Sequence, residues 1–223
     1  MKKIIYNITP FTTVDYENHL SCIVWFVHCN MRCQYCYNYD IVTSQNGQYT
    51  VEDLMDFLMK RVGLLDSVVL SGGEASLHDL LEICKKIKKL GFKIKLDTNG
   101  TNPELLKQLL KKKFLDFVSL DFKGTQEKYE FITKGKFYDR FIKSLKYLIN
   151  SSIEYEVRTT LHKDLLNEED INFMQKVLKD EGYNKTFFIQ NFLETENFAN
   201  LKDSKKNFDT TKLHKTLDVV FRN

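Results

Sequence analysis

The sequence contains only two prolines and nine glycines among its 223 residues. No proline-rich or glycine- and serine-rich linker divides the chain, so we expect one domain spanning residues 1–223. No apolar run approaches the roughly 18 residues of a membrane-spanning helix, and the N-terminus lacks the apolar core of a signal peptide. The net charge of +3 is too small to indicate nucleic-acid binding. These absences predict a cytoplasmic protein with neither a membrane nor a nucleic-acid partner.

What the sequence does contain is a regular alternation of short apolar segments and amphipathic segments. Six strand-like segments begin with CIVWFVH at residues 22–28 and end with KTFFIQNFL at 185–193, and helical segments separate them. Strands that alternate with helices indicate an α/β fold with a parallel sheet covered by helices. An open doubly wound sheet and a partial barrel both fit this pattern, and periodicity alone does not choose between them.

Local signals mark several helix boundaries. Thr50 has the residue type and position of an N-cap, and Pro103 opens the next-but-one helix near its first turn. Near the end of the chain, the spacing of Leu213, Leu217 and Val220 predicts a short amphipathic helix.

Polar clusters follow the ends of five of the predicted strands. In chain order they are the cysteine loop, SGGE, DTNG, DFKG and RTTLH. In parallel α/β folds, ligands bind at the carboxyl edge of the sheet, where such segments meet. We therefore expect the functional site at this edge. His162, at the end of the fifth cluster, is expected to be an exposed loop residue, whereas Gln190 and Asn191 are further candidates at the end of the sixth strand.

The first of these clusters contains three of the five cysteines. Cys29, Cys33 and Cys36 have the spacing C-x3-C-x2-C, and an odd number of thiols cannot all form disulfides. Clustered cysteines in a cytoplasmic protein more often bind metal or take part in catalysis. Cys22 and Cys84 lie in a strand and a helix segment, where free cysteine behaves as a small buried hydrophobic residue.

Two kinds of metal site could use three thiolates. Zinc needs a fourth ligand, for which His28 is the nearest residue, but neighbouring residues at a strand end point in opposite directions. A [4Fe–4S] cluster held by three cysteines instead leaves one iron open to another ligand. The zinc alternative, a non-enzymatic zinc-stabilised binding module, would leave SGGE, DTNG and DFKG unexplained.

The cysteine loop, with Tyr35 before its last cysteine and SGGE after the next strand, resembles the radical S-adenosylmethionine (SAM) superfamily. This resemblance implies a partial (β/α)6 barrel, similar to a TIM barrel, with its core at residues 22–192. An N-terminal segment, 1–20, and a C-terminal extension, 193–223, would flank that core. The resemblance also implies an oxidoreductase in which a [4Fe–4S] cluster cleaves SAM reductively to a 5′-deoxyadenosyl radical. The cluster ligands and catalytic residues would be Cys29, Cys33 and Cys36.

The same resemblance assigns further residues to SAM. The glycines and carboxylate of SGGE would line the methionyl ammonium, which suits carbonyl oxygens and a carboxylate. DTNG and DFKG are similar to motifs of the activating enzymes of glycyl radical enzymes, where they form an oxygen-lined site near SAM that can hold a monovalent cation. Lys123 would approach the SAM carboxylate. The cofactor-binding residues implied in this way are Tyr35, Gly72, Gly73, Glu74, Asp97, Thr98, Asp121, Lys123 and Arg158.

Longer segments resemble the activating proteins of anaerobic ribonucleoside-triphosphate reductases. These segments cover residues 11–38, 61–77, 91–106, 115–124 and 155–161. The resemblance implies hydrogen abstraction from a glycine of a partner glycyl radical enzyme, with an electron donor such as flavodoxin or ferredoxin. An alternative with the same SAM residues is a radical SAM enzyme acting on a small molecule or peptide in cofactor or modified-nucleoside biosynthesis. The chain departs from the typical Asp-Tyr-Pro turn, since glutamate follows Asp15 and Tyr16.

Overall fold

A computed structural model describes residues 2–222 as one sheet of eight strands flanked by seven α-helices. The strands are β1 (Ile5–Thr12), β2 (Ser21–Phe26), β3 (Ser67–Gly72), β4 (Lys93–Thr98), β5 (Phe117–Asp121), β6 (Glu154–Leu161), β7 (Phe187–Asn191) and β8 (Val219–Arg222). The helices are α1 (Tyr39–Thr43), α2 (Val51–Met59), α3 (Leu80–Lys89), α4 (Pro103–Lys111), α5 (Gln126–Thr133), α6 (Tyr138–Ile149) and α7 (Glu168–Asp180).

The spatial order of the strands is the same as their order in the chain. β1 is antiparallel to β2, whereas every neighbouring pair from β2 to β8 is parallel. A doubly wound sheet would reverse its strand order at a switch point. The unreversed order therefore supports the partial barrel, with β1 and β8 as the two edges of the described sheet. β2 to β7 are the six predicted strands.

The predicted helix signals have clear structural counterparts. The Thr50 side chain accepts a hydrogen bond from the backbone N–H of Asp53, whose carboxylate accepts one from the backbone N–H of Thr50. This capping box satisfies donors that would otherwise be unpaired at the start of α2. Pro103 occupies the first turn of α4, where its missing N–H costs nothing.

The prediction of a helix near the C-terminus is wrong. Val220 lies in strand β8, which pairs in parallel with β7, while Leu213 and Leu217 lie in the segment that leads to it. The edge of β7 offers backbone hydrogen bonds to a segment rich in β-branched and aromatic residues. This tertiary pairing overrides a helical spacing that only three residues had indicated.

Buried apolar side chains from the strands and from the inner faces of the helices form the core. Cys22 and Cys84 belong to it and are fully buried, as the sequence predicted. Within residues 2–222, no helix has both the length and the apolar character needed to cross a membrane.

Candidate active site

A cavity of about 370 Å³ lies at the carboxyl ends of the parallel strands. The cysteine loop between β2 and α1 forms one wall, and most of the other lining residues lie at the ends of β3 to β7 or directly after them. All twelve site residues predicted from the sequence line it: Cys29, Cys33, Tyr35, Cys36, Gly72, Gly73, Glu74, Asp97, Thr98, Asp121, Lys123 and Arg158. Gln190 and Asn191 line it as well. The structure thus brings the predicted residues together, although their individual roles remain predictions.

The cysteine loop is held in place by backbone hydrogen bonds to the end of α5. The N–H groups of Arg32 and Gln34 donate to the carbonyl oxygens of Thr133 and Ile132 at 2.8 and 2.9 Å. The Arg32 guanidinium also donates to the Cys29 carbonyl oxygen at 2.7 Å. These bonds fix the loop without using any thiol, although Cys29 Sγ also accepts a hydrogen bond from the Met31 N–H at 3.4 Å.

The three thiols suit a cluster better than a single ion. Cys29 and Cys33 are buried and Cys36 is partly buried. Among residues 2–222, no three His, Cys, Asp or Glu side chains converge closely enough to hold one metal ion. A [4Fe–4S] cluster does not need its three thiols to meet at one metal ion, because each cysteine binds a different iron atom. His28, considered above as a zinc ligand, does not line the cavity.

Burial disfavours ionisation of the thiols in this loop. Burial raises the pKa of Cys29 and of Cys33 to about 12. The nearby ammonium of Lys123 acts in the opposite direction on the pKa of both thiols. Bound iron would favour the thiolate form further, since metal binding displaces the proton.

The glycines of SGGE join the cysteine loop to the sheet. Gly72 has a φ of +112°, a conformation that favours glycine. A Cβ atom on Gly73 would lie 2.1 Å from the carbonyl oxygen of His28. That carbonyl accepts a hydrogen bond from the N–H of Glu74 at 2.9 Å. The motif is therefore a contact point between β3 and the start of the cysteine loop as well as part of the cavity wall.

Glu74 links the ends of β3 and β4 by hydrogen bonds. Its carboxylate accepts hydrogen bonds from the Thr98 hydroxyl at 2.7 Å, from the Asn99 N–H at 2.8 Å and from the Ser76 N–H at 3.1 Å. Burial raises the pKa of Glu74, whereas these hydrogen bonds lower it. Glu74 and Thr98, both predicted to contact SAM, thus contact each other. The sequence did not indicate this structural role.

A network of charged side chains crosses the interior of the barrel. Asp121 Oδ1 accepts from Arg158 Nε at 2.7 Å, and its Oδ2 accepts from Lys123 Nζ at 3.0 Å. Asp97 Oδ2 lies 3.4 Å from the guanidinium of Arg158 and accepts from the Ser71 hydroxyl at 3.1 Å. Although burial by itself would raise it, Arg158 and Lys123 lower the pKa of Asp121 to about 2. The Asp121 carboxylate is therefore held ionised.

The variant Asp121→Asn is expected to change the pH dependence of stability. The pKa of Asp121 is about 2 in the folded protein and about 3.9 in an unfolded chain. The ionised carboxylate therefore contributes about 2 kcal/mol above pH 4, and this contribution is lost as the pH falls through the folded-state pKa. Denaturant unfolding at pH 6 and pH 3 should show a smaller difference between wild type and variant at pH 3.

Asp180→Asn is the matched control for this comparison, because Asp180 is exposed and pairs with Lys176 on the surface of α7. Its effect on the free energy of unfolding should be within about 0.5 kcal/mol at both pH values. An equal difference for Asp121→Asn at pH 6 and pH 3 would contradict the ion-pair interpretation.

Several cavity residues were not predicted. Asn99 Nδ2 donates to Asn30 Oδ1 at 3.1 Å and lies 3.9 Å from Cys29 Sγ. Its place within DTNG was the signal that could have identified it. Trp25 lines the cavity from the inward face of β2, where its Nε1 donates to the Thr9 hydroxyl at 2.9 Å. Strand periodicity alone does not reveal which face of a fully buried strand points inward.

The expectation that His162 is exposed is wrong. Its side chain is 1% exposed, and its Nε2 lies 2.9 Å from the carbonyl oxygen of Lys202. The ring of Phe192 packs against it edge-on. The segment after β7 folds back over the end of β6 and covers this histidine, and a strand-end position gave no sign of that cover.

The buried hydroxyl of Tyr35 supports a ligand in this cavity. Within the described residues it has no hydrogen-bond partner, although it lies in the cavity wall. Buried polar groups are usually satisfied. A polar ligand in the cavity would supply the missing partner. Together with the three thiols, this fits a cluster and a polar cofactor such as SAM.

Comparisons with known proteins identify the family. A putative glycyl-radical enzyme activating enzyme of Methanocaldococcus jannaschii is 33% identical over 190 residues, which are 81% of this chain and 77% of that protein. The pyruvate formate-lyase-activating enzyme of Clostridium pasteurianum is 30% identical over 187 residues, 79% of this chain and 76% of that protein.

Solved structures confirm the fold class. The structure of Streptococcus suis SuiB bound to S-adenosylmethionine has a TM-score of 0.66 at 16% identity and matches 90% of this chain. The match spans about half of that longer protein, 52% of its chain. The family model described as "Radical SAM superfamily" matches residues 23–177, which contain the cysteine loop and all the other predicted site residues. Sequence, fold and cavity therefore agree that the chain belongs to the radical SAM superfamily and is a radical SAM enzyme.

Proposed function

We propose that this enzyme activates a glycyl radical enzyme by removing a hydrogen atom from a glycine of that partner. The observation that carries the proposal is the convergence of the three cysteines, SGGE, DTNG and DFKG on one cavity. The curated relatives reported above are named as activating enzymes of this kind. We further propose, from the sequence resemblance, that the partner is an anaerobic ribonucleotide reductase. A single domain over residues 1–223 remains part of this proposal.

We assign cluster binding and SAM binding to different residues of the cavity. We assign the binding of the [4Fe–4S] cluster to Cys29, Cys33 and Cys36. When bound and reduced, the cluster supplies the electron that cleaves SAM. Lys123 and Arg158 place positive charge in the cavity, which favours the carboxylate of SAM. Gly72 and Gly73 allow β3 to lie close to the end of β2 and to the cysteine loop, because a Cβ on Gly72 would lie 2.5 Å from the Phe26 nitrogen and one on Gly73 would lie 2.1 Å from the His28 carbonyl oxygen.

The mouth of the cavity suits a protein substrate. Tyr37 and Leu193 line the cavity and are 60% and 55% exposed. Apolar side chains at an open rim provide contact area for an inserted segment of another protein. A glycine Cα carries no side chain to shield it, so a loop bearing glycine could enter deeply.

The enzyme also needs an electron donor and a reducing compartment. We propose that flavodoxin or ferredoxin supplies the electron, since reductive cleavage needs a one-electron donor. A reducing compartment such as the cytoplasm suits three thiols that must stay free of disulfides.

The decisive experiment mixes the reconstituted enzyme, SAM and reductant anaerobically with candidate partners. 5′-Deoxyadenosine should form, and a glycyl radical should appear by electron paramagnetic resonance when the partner is anaerobic ribonucleotide reductase. The control partner carries alanine in place of the radical glycine and should give no such signal. Pyruvate formate-lyase serves as the competing partner, and a signal with it alone would reassign the specificity.

Formation of 5′-deoxyadenosine without a radical on any glycyl radical enzyme would overturn the activating role. Deuterium labelling tests the alternative that the substrate is a small molecule. If the label passes to 5′-deoxyadenosine from a deuterated small molecule and not from deuterated glycine in the partner, the enzyme acts on small molecules.

A further inference from the structure

Lys95 is a buried cation beside the SAM cavity. It lies on β4 two residues before Asp97, so both side chains point to the interior of the barrel. The residue is 6% exposed. Its Nζ donates to the carbonyl oxygen of Asp15 and lies 3.5 Å from Asp97 Oδ1. The nearby ring of Phe117 lies 5.6 Å from the same ammonium.

Asp97 is thus approached from two sides by cations of the chain itself. Lys95 faces Oδ1, which has no hydrogen bond within the described residues, and Arg158 lies 3.4 Å from Oδ2. Asp121 is bound by Arg158 and Lys123 at 2.7 and 3.0 Å. Three cationic side chains therefore surround the two carboxylates.

Thr98, the third member of the oxygen-lined site that the sequence resemblance implies, is also engaged. Its hydroxyl donates to Glu74 at 2.7 Å and accepts from the Gly100 N–H at 3.1 Å. A monovalent cation would need these oxygens as ligands, but cations of the chain already face both Asp97 and Asp121, and the Thr98 hydroxyl is already hydrogen-bonded. The residues present do not fit such an ion.

We propose that the ammonium of Lys95 takes the place of a monovalent cation in this chain. Lys95 is a positioning residue: it acts through Asp97, which it holds in place at the wall of the cavity, and it anchors the segment around Asp15. SAM binding then requires neither Na⁺ nor K⁺. The inference rests on the proposed use of the cavity for SAM, and it is independent of the identity of the protein partner.

The test measures the Kd of SAM for the reconstituted enzyme in choline chloride, NaCl and KCl at equal ionic strength. For the wild type, the three values should agree within twofold. Lys95→Met keeps most of the side-chain length but removes the charge, and it should weaken SAM binding at least tenfold in choline chloride. NaCl or KCl should recover at least half of that loss on a logarithmic scale, which a purely structural defect would not do.

Lys93→Met is the matched control. Lys93 is exposed on the same strand and contacts His19, so its replacement should leave all three Kd values unchanged. Lys95→Arg keeps the charge and should remain independent of the salt. In cluster-free protein, NaCl or KCl should raise the Tm of Lys95→Met relative to choline chloride but leave the wild-type Tm unchanged.

Two results would overturn the inference. The first is a wild-type SAM affinity that rises fivefold or more when Na⁺ or K⁺ replaces choline, whether or not Lys95→Met folds. The second is a folded Lys95→Met variant with wild-type affinity in all three salts. Absence of SAM binding to the wild type under every condition would instead refute the proposed function, so the two failures are distinguishable.

Discussion

Replacing Cys33 by alanine is expected to abolish iron loading and to reduce SAM cleavage to the background level, at least a hundredfold below wild type. Cys33 lines the cavity together with Cys29 and Cys36. With two thiolates left, a cluster would lose one of its three protein ligands and could not be retained. The measurement combines iron and sulfide analysis of the reconstituted protein with an anaerobic assay for 5′-deoxyadenosine. Cys29→Ala and Cys36→Ala should behave in the same way.

The two remaining cysteines provide the control. Cys22 and Cys84 are fully buried in the core, away from the cavity. Cys22→Ala and Cys84→Ala should cost about 1 kcal/mol of stability and should leave iron content and SAM cleavage near wild type. Since the bonds from Arg32 and Gln34 that hold the cysteine loop do not use the Cys33 thiol, Cys33→Ala should still fold, which circular dichroism would show. SAM cleavage by a Cys33→Ala variant at the wild-type rate would refute the assignment of the cluster.

Gly73→Ala is expected to displace the cysteine loop and to lose most of the bound iron, although no metal ligand is changed. The added Cβ would lie 2.1 Å from the His28 carbonyl oxygen and 2.6 Å from its carbon, both in the backbone. The backbone of the strand end or of the loop must therefore move. We expect a loss of roughly 3 kcal/mol or more of stability and at least a tenfold fall in SAM cleavage, measured by denaturant unfolding and by the same anaerobic assay.

Gly91→Ala separates steric contact from backbone strain. Gly91 follows α3 with a φ of +91°, and a Cβ there would meet nothing within 4 Å. Its replacement should cost about 1 kcal/mol and leave iron content unchanged. If Gly73→Ala lost no more stability or iron than Gly91→Ala, the close approach of β3 to the cysteine loop would not matter for cluster binding.

Local sequence signals were enough for the central part of the fold. The six apolar segments from residues 22 to 193 contain the strands β2 to β7 apart from Ser21, the first residue of β2, and caps such as Thr50 and Pro103 lie at the helix starts where they were expected. β1 and β8 were not predicted as strands. Both lie at the edges of the described sheet, where each strand depends on pairing with a neighbour more than on its own residue pattern.

The residues that form the site could also be predicted from the sequence, because motifs at successive strand ends must meet at one edge of a parallel sheet. That rule alone brings the cysteine loop, SGGE, DTNG and DFKG together. The contacts between those motifs could not be predicted from the sequence. The hydrogen bond from Thr98 to Glu74 and the cover over His162 join residues that are distant in the chain. No local pattern encodes such a contact.

Residue types and spacing were therefore sufficient to indicate the family, the parallel α/β architecture and the three cysteines of the cluster loop. The distribution of charge within the cavity depended on tertiary structure. Lys95 belongs to an ordinary alternating strand in the sequence, and only the tertiary position of segment 13–19 places the Asp15 carbonyl against its ammonium. Coulomb interactions depend on distances in space, and the fold sets those distances.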